Sequence, residues 1–258
     1  MGTLGIISEV TFKLLPQPTQ RAGVIGLFPE LAGAWAAVRK IQASFLLPES
    51  LELLNPEAVD LAAPTLGLPA APGTCALAVA LAGSPDTVER QARECTALFE
   101  EAGGTILSMP TGQTGTAWHT LRNLLGGGQA ANPARILCKI TVPITRTCDL
   151  VAAAGELGRR SGLRAAVMAH AGSGVVWAQF LPGMEGAPGE PVAMALQGLR
   201  REAEAAEGSL VLHDAPPPLK RQVDAWGAPG DGLAMMRRLK AEFDPRGVCN
   251  PGRFVGGI

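Results

Sequence analysis

Three histidines, His119, His170 and His213, are the side chains in this sequence best suited to moving protons near neutral pH. His170 precedes the glycine-rich run Ala171-Gly172-Ser173-Gly174, and His213 closes an apolar run that is followed by Asp214. A fold that brought His170, His213 and Asp214 together would offer a donor set for a transition metal. Nothing in their spacing requires that meeting, so no metal site is expected. His119 stands beside Trp118 on a predicted helix, where a partly exposed structural role is the commoner reading. Arg135, Lys139 and Arg146 are candidate partners for a small carboxylate, since cations, guanidinium above all, pair with it. The ordinary alternative is solvated charge at strand ends.

Other chemistries find no support. Ser173 lacks the glycine two positions before it that a nucleophile elbow needs, so its run reads as a hairpin turn. Gly126-Gly127-Gly128 is not followed by Lys-Ser/Thr, which excludes a phosphate loop and leaves a flexible turn or mobile lid. No GxGxxG follows a strand. The absence of tyrosine removes phenolic acid–base chemistry. Cys75, Cys95, Cys138, Cys148 and Cys249 are scattered without CxxC spacing, which argues against zinc or iron–sulfur ligation and for small buried hydrophobes.

Composition narrows the partners. A net charge of -1 supplies no field for nucleic acid or an anionic membrane. The most apolar run, Cys75–Ala82, falls far short of the roughly 20 residues a spanning helix needs. The first ten residues have neither the basic and apolar regions of a signal peptide nor an acylation signal, because Ile6 stands where Ser or Thr is needed. A cytoplasmic location is the expectation.

The elements that must position these groups alternate between strand and helix. Strands are predicted over the first fifteen residues and at 21–28, 74–81, 135–142, 163–170, 175–181 and 209–213. The run 50–54 is short and apolar. Helices are predicted from Pro29-Glu30 through Ile41, after Pro56, from a Ser84 cap to Gly103-Gly104, and at 113–125, 147–162, 191–206 and 231–243. The stretch 215–218 reads as a stiff connector, and no internal repeat is evident. The hairpin around 171–174 favours an α+β fold, an antiparallel sheet flanked by helices, over a doubly wound parallel sheet.

Both ends of the chain resemble a known family. Gly2-Thr3-Leu4-Gly5-Ile6-Ile7-Ser8-Glu9-Val10-Thr11-Phe12-Lys13-Leu14-Leu15-Pro16 resembles the last strand of the FAD-binding domain in FAD-linked oxidases of the vanillyl-alcohol-oxidase type. Phe243-Asp244-Pro245-Arg246-Gly247-Val248-Cys249-Asn250-Pro251-Gly252-Arg253-Phe254-Val255-Gly256-Gly257-Ile258 resembles the family's C-terminus, most of all in the small flavin subunits of bacterial glycolate oxidases. Ala169–Gly174, Pro216–Pro218 and Val223–Gly227 fit the same pattern.

The resemblance implies a ferredoxin-like cap domain over residues 19–240, a remnant of the FAD-binding domain at 1–18, and a C-terminal segment, 241–258, that returns toward the flavin. It implies that Gly2, Thr3, Gly5 and Ile6 line FAD, with Asn250 and Arg253 near the flavin. The domain that holds most of the dinucleotide would precede Gly2, so tight FAD binding by this chain alone is not expected.

The resemblance further implies a subunit or C-terminal portion of an FAD-dependent glycolate oxidase or 2-hydroxyacid dehydrogenase, oxidising glycolate to glyoxylate. Flavin and iron–sulfur subunits would be its partners, and self-association is a further expectation. The family's catalytic dehydrogenases carry a histidine pair in the glycine-rich segment and a later Glu-His-Gly. Here only His170 matches the pair, Trp177 takes its partner's place, and Leu212-His213-Asp214-Ala215 replaces the later element. That departure implies an accessory subunit, and the alternative from another class is a non-catalytic interaction module.

Overall fold

β-Branched and apolar stretches separated by helix caps and glycine turns settle into eight strands and eight α-helices in the computed structural model, which describes residues 1–69, 71–108, 114–125, 135–181 and 190–258. The chain forms two compact units, residues 18–223 and residues 1–17 with 224–258.

The larger unit begins with β1 (Gln20–Phe28), α1 (Leu31–Gln42), β2 (Ser50–Leu54), α2 (Pro56–Leu66), β3 (Cys75–Gly83), α3 (Pro85–Glu101) and β4 (Thr105–Ser108). After α4 (Thr114–Leu124) come β5 (Ile136–Thr141), α5 (Thr147–Arg160), β6 (Arg164–His170), β7 (Val175–Leu181), α6 (Glu190–Ala205), β8 (Ser209–Asp214) and α7 (Pro217–Gln222).

All eight strands form one antiparallel sheet in the order β4-β1-β3-β2-β6-β7-β5-β8. The α+β reading holds. Read from its outer edge, each half has the same order: β4-β1-β3-β2 is mirrored by β8-β5-β7-β6. Each half is therefore a split βαββαβ unit of the ferredoxin-like kind, the first carrying α2 as an insertion between β2 and β3. The repeat is topological. It escapes the sequence because the two halves share strand alternation and order rather than matching residues.

Strand periodicity gives the sheet two different faces. One face, with Leu53, Leu77, Val79, Val167, Phe180, Cys138 and Ile140, packs under α1, α3, α5 and α6. Phe28 and Phe99 meet edge to face there, with ring centroids 5.7 Å apart. Gly26 is required at this contact, because a Cβ would run into the Phe99 ring. On the other face, α2 and α4 cover Ile25, Leu27, Leu54, Ala78 and Met168 with Ala58, Val59, Leu121 and Leu124. The junction strands are tied to α2 by Asn55, whose buried side chain caps that helix at Ala58 N and bonds Val167 N and Ala165 O.

Several sequence expectations are corrected. The first fifteen residues form no strand: they enter no β-ladder among the described residues, and Ile6, Ile7, Phe12 and Leu14 are exposed. High β propensity cannot make a strand without a ladder partner. The stiff connector at 215–218 instead opens α7, since Pro217 suits the first helical turn and Leu219 is buried. Helix α1 starts after Pro29-Glu30, with Glu30 extended at its N-cap. Ser84 occupies the cap position of α3, but its hydroxyl bonds Thr87 Oγ1 instead of a backbone amide. The short strand β4 was not anticipated. The triple glycine at 126–128 lies outside the described residues.

In the smaller unit the ends of the chain are joined. Lys240, on α8 (Leu233–Phe243), donates to Thr3 O at 2.6 Å and Cys249 O at 2.9 Å, and pairs with the Asp244 carboxylate at 2.5 Å.

Candidate functional site

The local sequence Ser50-Leu51-Glu52-Leu53-Leu54 alternates, sending Leu51 and Leu53 into the main core and Ser50, Glu52 and Leu54 to the other face. Glu52 is only 7% exposed. A carboxylate at such a position needs partners. The β2–β6 pairing places His170 directly opposite it. His170 Nδ1 hydrogen-bonds Glu52 Oε1 at 2.7 Å and lies 2.6 Å from Oε2, while Ser50 Oγ donates to Oε1 at 2.5 Å. The hydrogen bond to Glu52 raises the His170 pKa, against an opposing effect of burial, with the Glu52 charge adding to the rise. With Nδ1 donating to the carboxylate, the neutral ring keeps its lone pair on Nε2, which has no hydrogen-bond partner among the described residues.

This pair borders a cavity of about 1190 Å³ within the larger unit. The sheet contributes Glu52, Met168, His170, Trp177 and His213 to its wall, and α4 contributes Trp118, His119, Leu121 and Arg122. Trp118, Leu121 and Arg122 fall at i, i+3 and i+4, the spacing of one helix face. His213 reaches the cavity at a bulge. The β5–β8 register shifts between Leu137 and Cys138, where Asp214 and Leu212 are the partners and His213 is the extra residue. Its ring meets Trp177 edge to face at 5.3 Å.

The structure thus brings His170, His213 and His119 to one cavity, with Ser173 at its turn. Ser173 donates its amide to His170 O at 2.9 Å, as the hairpin reading requires. Asp214 does not complete a metal site: among the described residues no three His, Cys, Asp or Glu side chains are grouped for one.

None of the three carboxylate-binding candidates lines the cavity. Arg146 pairs with Asp149 at 3.3 Å, Arg135 donates to Leu125 O, and Lys139 stands 5.8 Å from the Trp177 ring. Arg122 takes that place, without a hydrogen bond or ion pair among the described residues. Sequence reading missed both Arg122 and Glu52. The detectable signal was a lone acid inside the alternating apolar run of β2. Burial holds the thiols of Cys75 and Cys148 up at about 11 and those of Cys95 and Cys138 at about 12, so none is a ready nucleophile.

The residues implied to meet a flavin lie in the smaller unit. Gly2 has φ +67°, and a Cβ there would press on Asn250 Nδ2, which donates to Met1 O at 2.9 Å. Thr3 is buried, with its carbonyl taken by Lys240. Gly5 has open space where a Cβ would stand, and Ile6 and Arg253 are exposed. Gly2, Thr3 and Asn250 are therefore drawn together, while Gly5, Ile6 and Arg253 present free surface.

A family model described as FAD linked oxidases, C-terminal domain, matches residues 17–254. Glycolate oxidase subunit GlcD of Bacillus subtilis is 28% identical over 98% of this chain and 55% of its own length. D-lactate dehydrogenase of Anaerostipes hadrus is 24% identical over 98% of this chain and 56% of its own. GlcD of Escherichia coli K12 is 25% identical, covering 98% and 52%. The chain spans about half the length of these relatives. Alkyldihydroxyacetonephosphate synthase shares the fold with a TM-score of 0.63 at 17% identity, over 97% of this chain and 47% of that one. So does p-cresol methylhydroxylase with substrate bound, with a TM-score of 0.62 at 16% identity, over 94% and 54%.

Proposed function

We propose a function that proceeds from membership: the chain belongs to the FAD linked oxidases, C-terminal domain family, matched over residues 17–254. Within that family it serves as the substrate-side portion of an FAD-dependent 2-hydroxyacid oxidoreductase. Glycolate and D-lactate, the acids in its relatives' names, are the reference substrates. A subunit role like that of GlcD follows from the same likeness.

The observation that carries this reading is the carboxylate-anchored imidazole on the cavity wall, in a cavity that also holds the Arg122 guanidinium, with neither Nε2 nor that guanidinium partnered among the described residues. FAD, the cofactor of the family, supplies the hydride acceptor when bound. The exposed Ile6 and Arg253 and the bare backbone at Gly5 fit a surface along which a flavin nucleotide lies, with Gly2, Thr3 and Asn250 shaping that edge. Arg122 pairs with the substrate carboxylate. His170 takes the hydroxyl proton at Nε2. Glu52 fixes the tautomer of that ring and stabilises the imidazolium that forms.

The test is anaerobic flavin reduction by glycolate and D-lactate in the FAD-loaded protein, with this chain joined to the domain or subunit that carries the flavin. His170→Gln is expected to slow it by about 10²–10⁴-fold with the flavin spectrum unchanged. A variant as fast as wild type would remove His170 from the mechanism.

A further inference from the structure

We propose that the site takes 2-hydroxyacids with one carboxylate and a bulky apolar substituent, aryl or long alkyl, in preference to two-carbon acids. This rests on the 2-hydroxyacid reading above and deepens it. Cavities of about 300–1,000 Å³ enclose drug-sized ligands. At about 1190 Å³ this one exceeds that range, so a two-carbon acid would fill a small part of it.

The lining tells what fills the rest. Trp118 and Leu121 from α4, with Met168 and Trp177 from the sheet, line the cavity beside the polar groups that hold an acid. Water against indole and thioether surface is displaced favourably by an apolar group. Charge argues the same way. Arg122 is the sole arginine or lysine among the described lining residues, and the carboxylates that line the cavity are already partnered, Glu49 by Arg21 and Glu52 by His170. One substrate carboxylate finds a guanidinium there, and a second finds no further arginine or lysine in the described lining.

Calorimetric titration of the chain with glycolate, lactate, 2-hydroxyoctanoate, 3-phenyllactate, malate and octanoate tests this. Each buried methylene is expected to tighten the Kd about fourfold, and phenyllactate to bind on the order of 10- to 100-fold tighter than glycolate. Malate is expected to bind no tighter than lactate. Trp118→Ala is expected to weaken phenyllactate about tenfold more than it weakens glycolate. Because Trp118 also packs against the core, the wild-type series stands as a test without it. Equal affinities for glycolate and phenyllactate would overturn the size preference and leave the hydroxyacid reading intact. Octanoate binding as tightly as 2-hydroxyoctanoate would overturn the hydroxyacid reading and retain the apolar pocket. No binding by any of these acids would overturn both.

Discussion

His170 and Glu52 sit opposite each other on the two strands that join the halves of the sheet, with Nδ1 2.7 Å from Oε1. The bond raises the imidazole pKa above its ordinary 6.5. A raised folded-state value adds stability that is full below 6.5 and fades as pH rises through the folded-state value. Glu52→Gln should therefore cost most stability in mildly acid solution and less at alkaline pH. Denaturation midpoints across that range check it, and a pH-independent difference would contradict it. By NMR, the His170 pKa should fall in the variant.

Asn55 binds α2 to the strand that carries His170. Its side chain takes hydrogen bonds from Ala58 N at 3.0 Å and Val167 N at 2.8 Å, and donates to Ala165 O at 2.7 Å. Asn55→Ala removes a cap and strands buried backbone groups, for a loss of about 3 kcal/mol. Urea denaturation measures it; a loss under about 1 kcal/mol would mean water replaces the side chain.

Gly174 ends the turn after His170 with φ +72°, and a Cβ there would strike Val142 O. Its carbonyl also accepts from Val142 N at 2.9 Å. Gly174→Ala combines left-handed strain with a backbone clash and should destabilise by more than about 2 kcal/mol. An unchanged Tm would show that the turn relaxes freely.

Lys240 gathers Thr3 O, Cys249 O and the Asp244 carboxylate. That lysine, with the amides of Cys249 and Val248, holds the Asp244 pKa down at about 2 from 3.8. A depressed carboxyl adds stability that is present above 3.8 and lost as pH falls toward 2. Lys240→Met should flatten this acid dependence and speed hydrogen exchange at the Val248 and Cys249 amides, which donate to the Asp244 carboxylate. Unaltered exchange there would contradict the role given to Lys240.

Much of this was legible in the residues. Alternation located β5 to β8, and the Gly172–Gly174 turn made β6 and β7 antiparallel, which chose α+β over a parallel sheet. His170 and His213 stood out by type. Glu52 did not, because its meaning depends on register: only the β2–β6 pairing turns an acid in an apolar run into the partner of His170. Arg122 was hidden for a similar reason, since helical spacing reveals a shared face but not what that face covers. The first fifteen residues misled because propensity is local and pairing is not.

In the proposed function this chain presents a hydroxyacid to a flavin with His170 as the base. The most direct measurement is the flavin absorbance of the FAD-loaded protein, this chain joined to the part that carries the flavin, as 2-hydroxyacids are added without oxygen. The band should bleach, at a rate that rises with pH as His170 loses its proton and collapses in His170→Gln. A band that dithionite bleaches and no 2-hydroxyacid does would contradict it.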